Sequence, residues 1–463
     1  MQLRGGLSLA SILHRRDTDM TQGNIPRHLI IFSIPLLIGN VFQQLYNTVD
    51  SIVVGNYVGR QALAAVGCTG PIINMLIGLF VGLSSGAGVV ISQFYGAKDE
   101  EKLHQSVQTT VTLTLIMCAV LTVLGVTCTP LLLRLMDTPD DVLPEAVEYL
   151  RLYFWGVSGV LLYNIGAGIL RAVGDSTRPL YFLIFSALTN TVLDVVFVKY
   201  LSMGIAGAAI ATVISQCLSA LLVMLLLSRA KTAYRVDYRA LSMQGSILRK
   251  ICNVGVPSSL QMAVTAFSNI FVQGYVNRFA SACMAGWAAY NKIDAFAMLP
   301  MMSLSIAVTT FVGQNLGAGN VSRAKAAPRY ATGMGLVIMA VTLVPLMIFA
   351  PQLTRLFNHE EEVIGYGTWF IRTISPFYLA FAINQVYLGA LRGAGNTRAA
   401  MLICLGSFVV FRQIYLYISY HLSGGLLAVT LGYPAGWMLC TVILLLYYHR
   451  SKNAMTSLVM GEA

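Results

Sequence analysis

The chain has 463 residues, of which 56% are hydrophobic and only 11% are charged, and its formal net charge is +11. An ordinary soluble domain has roughly a quarter of its residues charged. This chain has too few polar side chains to cover a soluble globule of its size, so the composition excludes a soluble enzyme and indicates a protein that a bilayer solvates. The positive charge would favour nucleic acid in a soluble protein, whereas in a membrane protein basic residues concentrate in cytoplasmic loops.

Twelve apolar runs are long enough, at about 1.5 Å per residue, to cross a hydrocarbon core of about 30 Å as helices. An even number of spans places both termini on the same side of the membrane. In chain order the predicted spans are residues 28–54, 62–92, 105–130, 145–172, 178–199, 204–228, 247–275, 284–314, 326–350, 365–392, 398–420 and 424–449.

The distribution of Lys and Arg indicates on which side of the membrane both termini lie. With a cytoplasmic N-terminus, most of the 30 basic residues fall in inner segments, and the two longest outer loops are acidic, with Asp140 and Asp141 in one and residues 360–362 in the other. This asymmetry predicts a multi-pass protein of the inner or plasma membrane with both termini in the cytoplasm, and it accounts for the net charge without nucleic acid. Residues 1–19 lack an apolar segment long enough for a cleaved signal peptide, and we interpret them as a dispensable tail or an upstream start before Met20.

The eight cysteines include no C-x-x-C pair, and nearly all lie in apolar runs. This pattern is typical of free thiols buried as small hydrophobic residues, so it predicts neither a disulfide framework nor a metal site. No GxxxxGK[ST] segment is present in the sequence, and therefore we expect neither ATP nor an ATPase subunit as the energy source. We expect no cofactor.

The sequence contains an internal repeat at an offset of about 221 residues. Ile34-Pro35 meets Val256-Pro257, SQFYGA meets GQNLGA, and LRAVGDSTR meets LRGAGNTR after one deletion. The repeat predicts two six-helix lobes, a basic cytoplasmic linker and two cytoplasmic tails. Their bounds are 1–26 for the N-terminal tail, 27–228 for the first lobe, 229–246 for the linker, 247–449 for the second lobe and 450–463 for the C-terminal tail.

Each predicted lobe has an even number of spans, so both lobes start on the same face of the membrane. A pseudo-twofold axis along the membrane normal follows, with the two lobes around a central cavity. This all-α architecture is the usual geometry of a secondary transporter that works by alternating access.

Two predicted spans of the first lobe carry acidic residues, which are costly in a membrane. Asp50 lies in the first span with Tyr46 one turn earlier on the same face, and Asp194 lies in the fifth span with Asn190 at i−4. In one interpretation each carboxyl makes a local hydrogen bond and only fixes helix packing. In the other, the two carboxyls line a small polar chamber and exchange a proton or a cation, since burial and mutual repulsion both disfavour a pair of negative charges.

Pro35 lies well inside the first predicted span, where proline removes a backbone hydrogen bond and permits a bend. The position of Asp50 meets Phe271 or Val272 in the repeat, and that of Asp194 falls near Ile414. The acidic pair is therefore absent from the second lobe, and coupling is predicted to occur in the first lobe only.

The second lobe carries other charged residues in its spans, Lys292 and Asp294 in the eighth and Arg412 in the eleventh. They are interpreted either as an ion pair that packs the lobe or as polar contacts to a substrate. Met298 belongs to a methionine cluster in the eighth span that suits either ordinary packing or an adaptable pocket.

These motifs together resemble the MATE (multidrug and toxic compound extrusion) family, and within it the prokaryotic DinF-like branch. The resemblance covers about residues 21–450 and rests on four segments. They are FSIPLLIGNVFQQLYNTVDSIVVG in the first span, SQFYGA, VTTFVGQNLGAG and LRAVGDSTRP.

The resemblance implies an antiporter that exports amphipathic, often cationic, drug-like compounds in exchange for H⁺ or Na⁺ and works as a monomer. It also implies Pro35 as the bending point of the first span. The cation site of that family falls on Asp50, Tyr46, Asn190, Asp194 and Thr212. Helices seven and ten here have no intramembrane acid, unlike the other prokaryotic branch of the family.

The sequence is less consistent with three other functions. A flippase for lipid-linked oligosaccharides, from the same wider superfamily, would more often show extra spans and more arginine in its cavity than Arg412. A polytopic membrane enzyme needs a catalytic set such as H-E-x-x-H, which the sequence lacks. A channel is disfavoured because the lobes differ and no filter motif is found.

Overall fold

The structure is a computed structural model that describes residues 18–58, 60–136 and 138–450. Within these residues the regular secondary structure is helical throughout, which confirms the predicted all-α class. The outer parts of the two predicted tails, 1–17 and 451–463, lie outside the described residues.

The first six predicted spans all fold as helices. The fourth is divided into two helices, and the fifth ends in a π-helical segment. The elements are α1 (Ile25–Tyr57), α2 (Arg60–Gly96), α3 (Glu100–Leu135), α4 (Leu143–Trp155), α5 (Val157–Ala172), α6 (Thr177–Asp194), the π-helix Val195–Tyr200 and α7 (Gly204–Ser228).

The last six predicted spans are also helical, and the tenth, eleventh and twelfth are interrupted. The elements are α8 (Gly245–Val276), α9 (Ser281–Gly317), α10 (Val321–Ile348), α11 (Ala350–Arg355), α12 (Glu361–Ile374), the 3₁₀ turn Ser375–Phe377, α13 (Tyr378–Gly393), α14 (Thr397–Leu405), the π-helix Gly406–Phe411, α15 (Arg412–Ser423), α16 (Leu426–Thr430) and α17 (Gly432–Arg450).

Helix length and apolar character support a polytopic membrane protein. Among the described residues, ten spans are long and apolar enough to cross a bilayer, and the pair α4–α5, bent by 46°, brings the number to eleven. The remaining predicted span is α8, a 32-residue helix that carries polar residues such as Ser258, Gln261 and Ser268. Large apolar side chains are exposed along the spans, as expected for surfaces that face lipid, and they include Val123, Leu131, Val337, Val341 and Leu402.

The described residues form two compact units. One comprises residues 18–19 and Ile34–Asn253, and the other comprises Met20–Ser33 and the chain from Val254 onward. The first turns of α1 thus belong to the second unit, and the chain passes from one unit to the other within α1 and again within α8. The predicted lobe bounds stay predictions.

Short connections between helices have the same backbone geometry at repeat-related positions. Lys98 and Gly319, which follow α2 and α9, both have positive φ angles, of 56° and 74°. Gly174 and Gly395, which follow α5 and α13, have φ angles of 92° and 79°. The repeat in the sequence is therefore also a repeat of backbone conformation.

Glycines on α5 bring α7 close to it within the first unit. A β-carbon on Gly159 would lie 2.8 Å from the backbone nitrogen of Cys217, and one on Gly166 would lie 2.7 Å from the Val223 side chain. Only glycine permits this backbone approach at Gly159. The contact holds α7, which carries Thr212, at a defined position beside α5.

Candidate functional site

Three helices of the first unit supply the side chains predicted to bind a cation. Tyr46 and Asp50 lie on α1, Asn190 and Asp194 lie on α6, and Thr212 lies on α7. Asn190 and Asp194 are completely buried, and Asp50 and Thr212 are 8% and 7% exposed. The spacing of four residues on α1 and on α6 places both members of each pair on one helix face.

Thr212 links the three helices through its hydroxyl oxygen. Thr212 Oγ1 accepts a hydrogen bond from the Tyr46 hydroxyl at 3.4 Å and another from Asn190 Nδ2 at 3.5 Å. A separate bond from Ser186 Oγ to the carbonyl oxygen of Ser215, at 2.8 Å, fastens α6 to α7. All five residues of the predicted site thus lie on helices that are tied together within one unit.

The carboxyl groups of this site are short of hydrogen-bond donors. Among the described residues, no donor reaches Asp50 Oδ1, Asn190 Oδ1 or either carboxyl oxygen of Asp194, although all four atoms are buried. Asp50 and Asp194 are also close enough to repel each other electrostatically. Because a buried carboxylate without a partner is costly, this arrangement favours binding of a proton or a cation.

Two tyrosines that sequence reasoning missed lie beside these groups. Tyr149 and Tyr153 on α4 are 5% and 8% exposed. Tyr149 interacts electrostatically with Asp50 and Asp194, and Tyr153 interacts with Tyr46. Their spacing of four residues in LPEAVEYLRLYFW places them on one face of α4. This spacing is the feature of the sequence that indicates a polar surface shared by the two hydroxyls.

A π-helical segment, Val195–Tyr200, begins immediately after Asp194. π-Helical segments are rare and often occur at functional sites. A π-helical turn contains more residues than an α-helical turn, so it changes the direction in which neighbouring side chains point. The backbone therefore departs from regular α-helix at the acidic residue of the fifth span.

Pro35 lies inside α1, one residue beyond the point where the chain passes between the two units. Pro257 lies inside α8, close to the second passage, at the position that the repeat aligns with Pro35. Proline inside a helix removes one backbone hydrogen bond. α1 and α8, the two helices that run from one unit into the other, therefore each lack a backbone hydrogen bond near the point where they pass between the units.

The charged residues predicted in the second lobe do not pair with one another in the described structure. Lys292 is exposed, whereas Asp294 accepts hydrogen bonds from the hydroxyls of Tyr290 and Tyr378. Arg412 is 3% exposed. The ion-pair interpretation of these residues is therefore not supported by their contacts.

Hydroxyl, amide and aromatic groups surround Arg412. Its Nη2 donates to Ser268 Oγ at 2.7 Å and to Asn269 Oδ1 at 2.9 Å, and the guanidinium carbon lies 4.7 Å from the centroid of the Tyr433 ring. In the methionine cluster, Met298 is 7% exposed, which is consistent with packing in the interior.

Outside these groups, a cavity of about 670 Å³ is lined by Ser228, the last residue of α7, and by the linker residues Arg229, Ala230, Lys231, Thr232 and Arg235. None of the predicted site residues lines this cavity. Among the described residues, no group of three or more His, Cys, Asp or Glu side chains is arranged to hold a metal ion.

Comparison with known proteins identifies the family. The MatE family model matches residues 35–196 and again residues 257–418. The chain belongs to the MatE family. Because the model matches twice, at positions that the repeat aligns, the two halves of the chain are both MatE units. Members of this family are membrane transporters and not enzymes.

Relatives of this MatE protein span nearly its whole length. The probable multidrug resistance protein YoeA of Bacillus subtilis is 31% identical over 430 residues, which cover 91% of this chain and 93% of YoeA. The probable multidrug resistance protein YpnP of the same organism is 31% identical over 394 residues, which cover 85% of this chain and 88% of YpnP.

A solved structure has the same fold. It is a MOP superfamily transporter from Pyrococcus furiosus, described as having a reversed polarity of the binding pocket that suggests a different function. It superposes with a TM-score of 0.90 at 26% identity and covers 96% of this chain and 99% of its own. The resemblance to MATE transporters that the motifs indicated is confirmed.

Proposed function

We propose that this transporter exports amphipathic organic compounds, cationic ones among them, in exchange for H⁺ or Na⁺. The names of the Bacillus relatives support drug-like cargo. Export proceeds by alternating access, and the coupling ion binds in the first lobe at Asp50, Asp194, Asn190, Tyr46 and Thr212. No further subunit takes part, and one chain is the working unit.

The observation that carries this proposal is the shortage of donors at the buried carboxyls of Asp50 and Asp194. If both groups were ionised, two uncompensated negative charges would lie together inside the membrane. Binding of a proton or Na⁺ removes that cost, and release of the ion restores it. The site therefore has two states of different charge, which is the requirement for an ion gradient to drive a transporter.

The energy available from one ion is sufficient for export. A proton that enters the cell gains about 2.3 kcal/mol per 100 mV of membrane potential. A gradient of one pH unit adds about 1.4 kcal/mol. We propose that loading of the acidic pair bends α1 near Pro35, that the bend contracts a cavity enclosed by the first lobe, and that this contraction expels the compound outward.

The orientation follows from the basic linker. Arg229, Lys231 and Arg235 are exposed, and such residues collect on the cytoplasmic side. We propose that the linker and both termini lie in the cytoplasm, and that the membrane is the inner or plasma membrane of the cell.

Efflux from proteoliposomes tests the coupling. Purified protein is reconstituted into lipid vesicles, and the vesicles are loaded with a fluorescent cationic dye. A pH gradient or, separately, a Na⁺ gradient is then imposed across the vesicle membrane. We expect dye movement with one of the two gradients, and we expect Asp50→Asn and Asp194→Asn each to reduce this movement to the background of vesicles that contain no protein. Asp141→Asn, at an exposed acid outside the spans, is the matched control and retains wild-type efflux.

Two results would contradict the proposal in different ways. Wild-type efflux in both Asp50→Asn and Asp194→Asn would refute the site. Dye movement that depends on ATP and ignores both gradients would refute ion-coupled exchange itself.

A further inference from the structure

The basic linker contains a cavity that no step of the proposed export uses. Its volume of about 670 Å³ lies within the range of about 300–1,000 Å³ that is usual for ligand pockets. Its lining comes from the end of α7 and the first part of the linker, and consists of Ser228, Arg229, Ala230, Lys231, Thr232 and Arg235. Three of these residues are basic, two carry hydroxyl groups and none is acidic, so the lining suits an anion.

The three basic side chains of the cavity have no acidic partner. Arg229, Lys231 and Arg235 are exposed, and none of them forms an ion pair among the residues that the structure describes. The only acid in the linker sequence is Asp237, which does not line the cavity and accepts a hydrogen bond from the backbone N–H of Arg239. Arginine and lysine are the residues that bind phosphate groups, because both are charged at neutral pH and carry several N–H donors.

The backbone that carries these side chains is packed against two helices. Tyr234 and Val236 of the linker are only 4% and 1% exposed. The backbone N–H of Val236 donates to the carbonyl oxygen of Leu227 at 3.1 Å, which fastens the linker to α7. His104 Nδ1 lies 3.2 Å from the carbonyl oxygen of Ala233, which fastens the linker to α3. The cavity therefore belongs to a folded segment, and a ligand does not have to order it on binding.

An exposed apolar line on α7 leads to the cavity. Leu221 and Leu225 are 53% and 40% exposed, and they lie two turns and one turn before Arg229, which follows the last residue of the helix. Residues spaced by four share a helix face, so the two leucines and Arg229 lie in one line. Exposed leucines on a span face the tails of lipids. The ligand that fits both features has an anionic head and apolar chains.

We propose that this cavity binds the phosphate group of an anionic phospholipid, whose acyl chains lie along Leu221 and Leu225. Basic clusters next to a span attract anionic head groups. A free phosphate has the same charged group, but it has no apolar chains to place on the leucines. Binding to the folded protein stabilises it, so anionic lipid should raise the stability of the protein. The site is independent of the proposed ion coupling at Asp50 and Asp194.

Native mass spectrometry tests the site without a transport assay. The full chain is purified in an uncharged detergent and titrated with dioleoylphosphatidylglycerol or, separately, with dioleoylphosphatidylcholine, whose head group has no net charge. We expect one molecule of phosphatidylglycerol to bind about tenfold or more tightly than phosphatidylcholine does. Arg229→Gln/Lys231→Gln/Arg235→Gln, the cavity variant, should weaken the binding of phosphatidylglycerol by about tenfold or more.

A second triple variant separates the cavity from the general basic charge of the protein. Lys98→Gln/Arg239→Gln/Arg249→Gln removes the same number of exposed positive charges from positions that do not line the cavity. This control should bind phosphatidylglycerol as the wild type does. Phosphatidylglycerol should also raise the unfolding temperature of the wild type and of the control, but not that of the cavity variant.

The proposal is overturned if the cavity variant keeps wild-type affinity for phosphatidylglycerol, or if the control loses as much affinity as the cavity variant. Equal binding of phosphatidylcholine would overturn it as well, because the acyl chains alone would then decide binding. Displacement of phosphatidylglycerol by inorganic phosphate or glycerol 3-phosphate would show a site for free phosphate instead of lipid. If the cavity variant does not fold, unchanged affinity in both Arg229→Gln and Lys231→Gln, made singly, would overturn the proposal in the same way.

Discussion

Gly389 of α13 lies against Ser305 of α9 so closely that no larger residue fits. A β-carbon on Gly389 would lie 2.7 Å from the carbonyl oxygen of Ser305 and 2.9 Å from its hydroxyl oxygen. The repeat-related pair is Gly168 and Ser84, where a β-carbon would lie 2.7 Å from the hydroxyl oxygen but 3.9 Å from the carbonyl oxygen. The same helix contact therefore occurs in both halves, with the backbones closer in the second.

Gly389→Ala should destabilise the protein by about 1–3 kcal/mol, because the carbonyl of Ser305 cannot move without shifting α9. Gly168→Ala should cost less, since the Ser84 side chain can rotate away. Gly333→Ala is the control, because Gly333 lies inside α10 with open space around its β-carbon position. Thermal unfolding in detergent measures the three variants, and equal unfolding temperatures for Gly389→Ala and Gly333→Ala would contradict the prediction.

Thr212→Val should impair export strongly, because valine has nearly the shape of threonine but cannot accept the hydrogen bonds from Tyr46 and Asn190. Thr212→Ser keeps the hydroxyl and should retain most of the activity. The initial rate of dye efflux under the driving gradient separates the two variants. Similar rates in both would show that the hydroxyl has no part in coupling.

Pro35→Ala should slow export while leaving the protein at least as stable as the wild type, since alanine restores a helical hydrogen bond that proline prevents. Pro257→Ala, at the repeat-related position in α8, is the matched comparison. Efflux rates and unfolding temperatures are measured together. A large loss of stability in Pro35→Ala would show that proline has a packing role instead of a hinge role.

Arg412→Ala should destabilise the second unit by about 2 kcal/mol or more, because Ser268 and Asn269 lose a charged donor and the face of Tyr433 loses its cation. Arg412→Lys keeps the charge but not the forked geometry, and should recover only part of the loss. Unfolding in detergent measures both. Full recovery in Arg412→Lys would indicate that charge alone matters.

Asp99→Ala should weaken the start of α3, where the Asp99 carboxylate accepts a hydrogen bond from the backbone N–H of Lys102. That bond, together with the Lys102 side chain, lowers the pKa of Asp99 below its usual value. A carboxyl with a lowered pKa stabilises the fold above its unfolded pKa and loses that effect as the pH falls through its folded pKa. The gap in unfolding temperature between wild type and Asp99→Ala should therefore be present at pH 7 and close below about pH 4.

For the site of the acidic pair, the sequence predicts which residues share a helix face but not which other helices pack against that face. Asn190 and Asp194 were placed on one face of the fifth span by their spacing alone, as were Tyr46 and Asp50 on the first. The inclusion of Thr212 in the same site rested on the resemblance to the MATE family. That Tyr149 and Tyr153 face the same groups depends on how α4 is rotated against α1 and α6, which no local pattern specifies.

The second lobe shows the same limit more clearly. The sequence identified Asp294, Lys292 and Arg412 as unusual residues in spans, but an ion pair and a substrate contact were equally consistent with them. The partners of Asp294 and Arg412 lie up to 144 residues away along the chain. Only the packing of α8, α9, α13 and α15 decides that phenols bind the acid and that hydroxyl and amide groups bind the arginine.

The sequence by itself determined the class of protein, its spans and its repeat, because apolar length, charge distribution and self-similarity are properties of the chain in order. It also determined which residues share a helix face, since the helical period is constant. The tertiary structure decided which faces meet: it tied Thr212 to two other helices, left the carboxyls of Asp50 and Asp194 without enough donors, and surrounded Asp294 with tyrosines. The physical reason is that a contact between two helices depends on how each helix is rotated about its axis and on how closely the two axes approach. Close glycine contacts, such as that of Gly159 with Cys217, set this approach here.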